Sequence, residues 1–145
     1  MLMRPRTLRL PERLEADLNR EFQLRGTREW SAGVVELLSE AVRMRRVPGI
    51  MFTDGMRGRR AVLAGTGIEV WEIAAMWLSQ GRDAEALQAA YHWLTAAQLR
   101  TAIAYYEAYP AEIDERLALE ERWTPEAIRD ELASLPLGPG ITGHE

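Results

Sequence analysis

The spacing of apolar positions changes along this chain, and each change predicts an element. Leu8 and Leu10 alternate with Thr7 and Arg9. That period of two puts the leucines on one face and the polar pair on the other, as in a short strand. Past Pro11 the spacing lengthens: Leu14, Leu18 and Phe22 recur every four residues, with Leu24 close by. This predicts an amphipathic helix entered at a first-turn proline, with Glu12 and Glu15 where the helix dipole favours acids. Gly26 fits a glycine just past its end. Thr27 or Ser31 can cap a second helix, whose wide apolar face carries Val34, Val35, Leu37, Leu38, Ala41 and Val42. Arg43, Arg45 and Arg46 suit its C-terminus, and Pro48-Gly49 ends it. A strand as short as residues 6–10 buries too little to stand alone. Pairing with the same strand of a second chain completes it as a two-stranded ribbon, apolar beneath and arginine-bearing on top. Such a ribbon fits the major groove of DNA.

From residue 49 the period returns to two. Ile50, Phe52, Ala61 and Leu63 alternate with polar residues around Asp54-Gly55 and Arg57-Gly58. A hairpin or extended arm is predicted, with Arg57, Arg59 and Arg60 as an arginine cluster. The cluster suits DNA backbone contact as well as it suits an exposed loop. Gly65-Thr66-Gly67 is a turn into a helix; it lacks the further glycines and the lysine of a phosphate loop. Val70, Ile73, Ala74, Trp77 and Leu78 form a helical stripe closed by Gly81. Asp83 can cap a helix carrying Leu87, Ala90 and Tyr91. Thr95 and Gln98 make a capping box for a third, with Leu99, Ala102, Ile103 and Tyr106 on one face. Three short helices with tight turns are a helix-turn-helix candidate. Trp71, Met76, Trp77 and Trp93 read as core or interface residues, and His92 as a boundary residue. Beyond Pro110, Ile113, Leu117 and Leu119 mark one further helix. Thr124-Pro125-Glu126 opens another, with Ile128, Leu132 and Leu135 on one side. The Pro- and Gly-rich end from Leu135 is expected to be disordered.

The expected fold class is mostly α. A dimerisation and DNA-binding domain of residues 1–47 is followed by a β-arm and three-helix domain of residues 48–109. A helical tail of residues 110–145 completes the chain.

Charge sharpens this division. Residues 1–60 hold 13 arginines and 8 acids; residues 61–145 hold 5 arginines and 14 acids. All basic residues are arginine, which suits phosphate and base recognition through the guanidinium fork. A GC-rich codon bias accounts for the same fact across the whole chain. The segment 107–145 is the most acidic, with 10 acids against 3 arginines. With no cysteine there is no disulfide, thiolate nucleophile or thiolate metal site. His92 and His144 lie far apart. No metal and no cofactor are expected, and no carboxylates are paired on a recognisable catalytic motif, so an enzyme is disfavoured. No run approaches the roughly 20 apolar residues of a membrane span. The start carries no apolar signal region, and a cytoplasmic location is expected.

The strand, helix, glycine turn and helix in about 40 residues resemble the ribbon-helix-helix (CopG/Arc-like) family of bacterial repressors, a domain many antitoxins carry. The matching residues are Thr7-Leu8-Arg9-Leu10-Pro11, Leu14, Leu18, Gly26, Ser31-Ala32, Val34, Leu38 and Ala41. The resemblance implies an intertwined homodimer. Arg6, Thr7 and Arg9 would face base edges, and the helix start at Trp30, Ser31 and Ala32 would hold a DNA phosphate. The alternative for Arg6 and Arg9 is a solvated edge charge that blocks aggregation. Their alternation runs straight into the two-helix pattern, which favours DNA.

Residues 50–109 resemble a family of small bacterial helix-turn-helix domains of unknown function, often encoded beside PIN-like toxin nucleases. The matches are Gly65-Thr66, Ile68, Val70, Gly81, Asp83, Glu85, Leu87, Tyr91, Leu94-Thr95 and Ala102-Ile103-Ala104-Tyr105. Gly67 and Glu69 depart from the family's arginine and proline. In a helix-turn-helix the third helix would offer Gln98 to adenine and Arg100 to guanine or phosphate. The acidity of this half opposes DNA contact, and a packing module or second dimer interface is the alternative reading.

Together these resemblances imply a VapB-like antitoxin of a type II toxin–antitoxin pair, a repressor that binds operator DNA as a dimer or dimer of dimers. Its acidic tail would neutralise a PIN-like ribonuclease toxin, with Ile113, Leu117, Ile128 and Leu132 in a groove of that partner; a tail helix packed back on its own domain is the equal alternative. The alternative is a DNA-binding transcriptional regulator without a toxin partner, its second domain serving oligomerisation or ligand sensing.

Overall fold

A computed structural model describes residues 3–55, 58–122 and 124–135. Arg57, His144 and the Pro/Gly-rich end beyond Leu135 lie outside the described residues. The chain is mostly helical with one two-stranded antiparallel hairpin. It divides into two compact units, Met1–Arg46 and Val47–Glu145.

The first unit is a pair of helices, α1 (Glu12–Arg25) and α2 (Trp30–Arg46). Pro11 precedes α1, and Glu12 and Glu15 fall in its first turn. Gly26 ends it in a left-handed conformation, φ 67°, and Thr27 N donates back to Phe22 O at 2.9 Å. The αL geometry favours glycine. Helix α2 opens at Trp30, so Ser31 lies inside the first turn rather than capping it. At that start the Trp30 ring stands edge-on to Phe22, centroids 6.4 Å apart. Phe22 is the buried apolar side chain of this unit among the described residues. Gly33 makes room for it. A Cβ at Gly33 would lie 2.6 Å from Phe22 Cε1.

In the second unit β1 (Ile50–Gly55) pairs with β2 (Gly58–Leu63), with Ile50 opposite Leu63, Phe52 opposite Ala61 and Asp54 opposite Arg59. The alternation of Ile50, Phe52, Ala61 and Leu63 therefore folds onto one inward face. Arg59 Nη1 also pairs with Asp54 Oδ1 across the strands at 3.2 Å. Gly49 sits at φ 99°. A Cβ there would stand 3.2 Å from Thr101 Cγ2, so the chain passes close to the next helix layer.

Helices α3 (Val70–Ser79), α4 (Ala84–Ala90) and α5 (Ala96–Ala108) follow. Asp83 caps α4 by accepting from Glu85 N and Ala86 N. Thr95 and Gln98 form a reciprocal capping box at α5. Two more helices are α6 (Pro110–Arg122) and α7 (Pro125–Ser134). The core gathers Ile50, Leu63, Val70, Ile73, Leu87, Leu99, Tyr105 and Ile113, with Trp71, Met76 and Trp77 partly buried against it. No described helix is long and apolar enough to cross a membrane.

Candidate nucleic-acid and partner surfaces

Residues 3–11 run without helix or strand, and Arg6, Thr7 and Arg9 are exposed. Leu8 is 67% exposed, beside the half-buried Leu10. A two-residue period does not by itself make a strand. Extended backbone needs a hydrogen-bonded neighbour, and the ribbon reading places that neighbour on a second chain.

The two helices beneath leave large apolar groups bare. Leu14, Leu24, Val35, Leu38 and Val42 are all exposed, Leu24 and Val35 by two-thirds or more. Val35, Leu38 and Val42 recur at three- and four-residue spacing on α2, so they lie along one face. At the start of α2, Ser31 and Ala32 are exposed. The first i→i−4 bond is Gly33 N to Glu29 O at 3.1 Å. The amides of Trp30, Ser31 and Ala32 precede it, which is where a helix can receive a phosphate.

The second unit treats its expected base readers differently. Gln98 Oε1 accepts from Thr95 N at 2.8 Å. Its amide is engaged in the capping box, whereas adenine readout needs both ends of the amide. Arg100 is exposed. It stands at the rim of an apolar groove of about 490 Å³ across α3, α4 and α5, floored by Trp77, Leu87, Leu99 and Ile103. Thr101 is half-buried beside Gly49, and its Oγ1 donates to Ala97 O at 3.0 Å.

The acidic helices also divide. Ile113 is 4% exposed within the core, and Leu117 packs against it. They hold α6 to its own unit, which fits the reading of a tail packed on its own domain and not the one in which Ile113 and Leu117 face a partner. Three polar contacts, unseen in the sequence, fasten α6. Tyr105 Oη donates to Glu112 Oε2 at 2.6 Å, Tyr106 Oη donates to Asp114 Oδ1, and Arg116 stacks over Trp71 at 5.5 Å. The Asp114 hydrogen bond, with burial adding to it, raises the Tyr106 phenol above its ordinary range. Burial, then the Glu72 charge, raises Tyr91. Among the described residues of these helices, α7 keeps an exposed stripe, Ile128 and Leu132, continued by Leu135 at its C-cap.

Glu69, where the resemblance expects proline, is a polar hub. It caps α3 in a reciprocal box with Glu72. It also accepts from Arg60 Nη1 at 2.8 and 3.1 Å and from Trp71 Nε1. The side chain thus ties β2 to α3. Trp93, at the α4–α5 turn, is 61% exposed, with His92 edge-on at 5.1 Å.

Residues 50–106 match a family model described as a protein of unknown function (DUF433). The match spans the hairpin and α3 to α5, less than half of the chain. No curated protein and no solved structure matches the chain.

Proposed function

We propose that this chain is a DNA-binding antitoxin and autoregulator of the ribbon-helix-helix type. Residues 6–10 pair with the same segment of a second copy, and Arg6, Thr7 and Arg9 face the major groove. The observation that carries the reading is the bare face of the first unit. Two helices with one buried ring leave Leu14, Val35, Leu38 and Val42 in water. At roughly 25 cal/mol per Å², covering such a stripe is the available source of stability. A second copy covers it and also supplies the missing strand. The arginine-rich first 60 residues suit the phosphates. The acidic second half suits a basic partner, a PIN-like ribonuclease, met by the exposed stripe of α7. Gln98 and Arg100 are set aside as base readers, because the capping box engages one and the other belongs to an apolar groove.

The test is fluorescence anisotropy with the DNA upstream of the gene across a salt series. Wild type binds tightly with a steep negative salt slope, and Arg9→Ala loses that binding. Equal binding to operator and random DNA would sink the ribbon as reader. For the toxin arm, Leu132→Glu abolishes neutralisation of the cognate nuclease while DNA binding persists. Removal of residues 110–145 is the wrong probe, since it takes Ile113 out of the core.

A further inference from the structure

We propose that the cavity between the hairpin and α6 binds a free α-amino acid with an aliphatic side chain of leucine's size. This site lies within the second unit and stands apart from the DNA and toxin readings. The cavity has a volume of about 220 Å³, below the roughly 300–1,000 Å³ of sites for drug-sized molecules. Three guanidiniums line it: Arg59 and Arg60 from β2, and Arg116 from α6. Each is mostly buried and anchored by a carboxylate that does not line the cavity, Asp54, Glu69 and Glu120 in turn. Even so, Arg60 Nε and Arg116 Nε are buried with no hydrogen-bond partner. A buried donor without an acceptor is costly and uncommon. Among the described residues three buried side-chain polar atoms share this condition, and two of them belong to this one cavity. One carboxylate, with two accepting oxygens, answers two such donors.

The opposite charge comes from α6. Glu112 and Glu115 line the same cavity one turn apart. Glu112 accepts from Tyr105 Oη at 2.6 Å. Glu115 is exposed, with no hydrogen bond or ion pair among the described residues. This mixture of charges selects against a simple ion. An anion alone would meet the two carboxylates, and a cation alone would meet three guanidiniums. A zwitterion places its carboxylate toward Arg60 and Arg116 and its ammonium toward Glu115. The apolar wall is Trp71, Ile113 and Leu119, with the Arg116 guanidinium 5.5 Å from the centre of the Trp71 ring. That wall takes an aliphatic side chain, while the few polar groups fix its orientation.

Isothermal titration calorimetry of the full chain compares three probes. They are L-leucine, isocaproate, which lacks the ammonium, and isoamylamine, which lacks the carboxylate. The expected result is saturable binding of L-leucine, with both analogues weaker by about tenfold or more. Glu115→Gln lowers the affinity for L-leucine by about tenfold. Because Glu115 is exposed, this variant keeps the fold. Arg116→Gln also weakens L-leucine, and its thermal melt checks that α6 stays in place. The absence of saturable L-leucine binding overturns the proposal. So does isocaproate binding as tightly as L-leucine, or L-leucine affinity unchanged in Glu115→Gln.

Discussion

In residues 3–46 two helices gather around one buried ring, Phe22. From Val47 onward a hairpin and four of the five described helices close over a core of thirteen buried apolar side chains. The first unit exposes most of its large apolar groups, and the second hides them except on α7, Met51 and Trp93. The difference teaches where the hydrophobic effect is satisfied among the described residues of one chain and where it is not. A unit of under 50 residues seldom buries enough alone. Here Val35, Leu38 and Val42 recur at helical spacing along one face of α2, a contiguous exposure rather than a scattered one.

The largest way to break this contrast is to open the closed core. Tyr105 is fully buried, and Tyr105→Ala removes its ring and its hydrogen bond to Glu112. A loss of about 3–5 kcal/mol is expected, read by urea denaturation, with the DNA binding proposed for the first unit retained. The reverse experiment overfills the small core. Gly33→Val drives a side chain into the Phe22 ring and costs about 1–3 kcal/mol, visible as loss of helix in circular dichroism. Charge on the bare face acts differently. Val35→Glu leaves the second unit's melting unchanged but shifts the monomer–dimer equilibrium of the full chain toward monomer in sedimentation. If the second unit melts earlier, Val35 is not a free face. Cap removal is smaller: Asp83→Ala costs about 1 kcal/mol by the same urea melts.

The smallest effect belongs to Tyr106. Its folded phenol titrates above the unfolded value of about 10. The Asp114 hydrogen bond therefore contributes fully below about pH 10 and is lost as pH rises through the raised folded value. Tyr106→Phe costs less than about 1 kcal/mol at pH 8 because the pair is exposed. That cost shrinks by about pH 11, and a constant cost across this range would remove Asp114 from the account.

Local chemistry was legible in the sequence wherever one residue and its near neighbours decide the outcome. The Gly26 stop, the Asp83 cap, the Thr95–Gln98 box and the 50–63 hairpin all rest on contacts within a few residues. What escaped depends on partners distant in sequence. Ile113 and Leu117 have the same spacing whether they face a partner or their own core; Tyr105 and Tyr106, seven and eight residues before Glu112 and Asp114, decide it. The Arg60–Glu69 pair hid because nothing in a linear reading sets β2 beside the start of α3. Gly33 gave no sign of the ring it admits. For the candidate DNA surface, Arg6, Thr7 and Arg9 were readable as an alternating segment, while the extended pairing proposed for it would need a second chain.

The central claim is that the first unit is completed by a second copy. The most direct measurement is sedimentation equilibrium of residues 1–46, paired with far-ultraviolet circular dichroism over a dilution series. The account predicts a helical dimer whose helicity falls as it dissociates on dilution. A monomer that stays helical at every concentration would contradict it, and the exposed faces of α1 and α2 would then need another explanation.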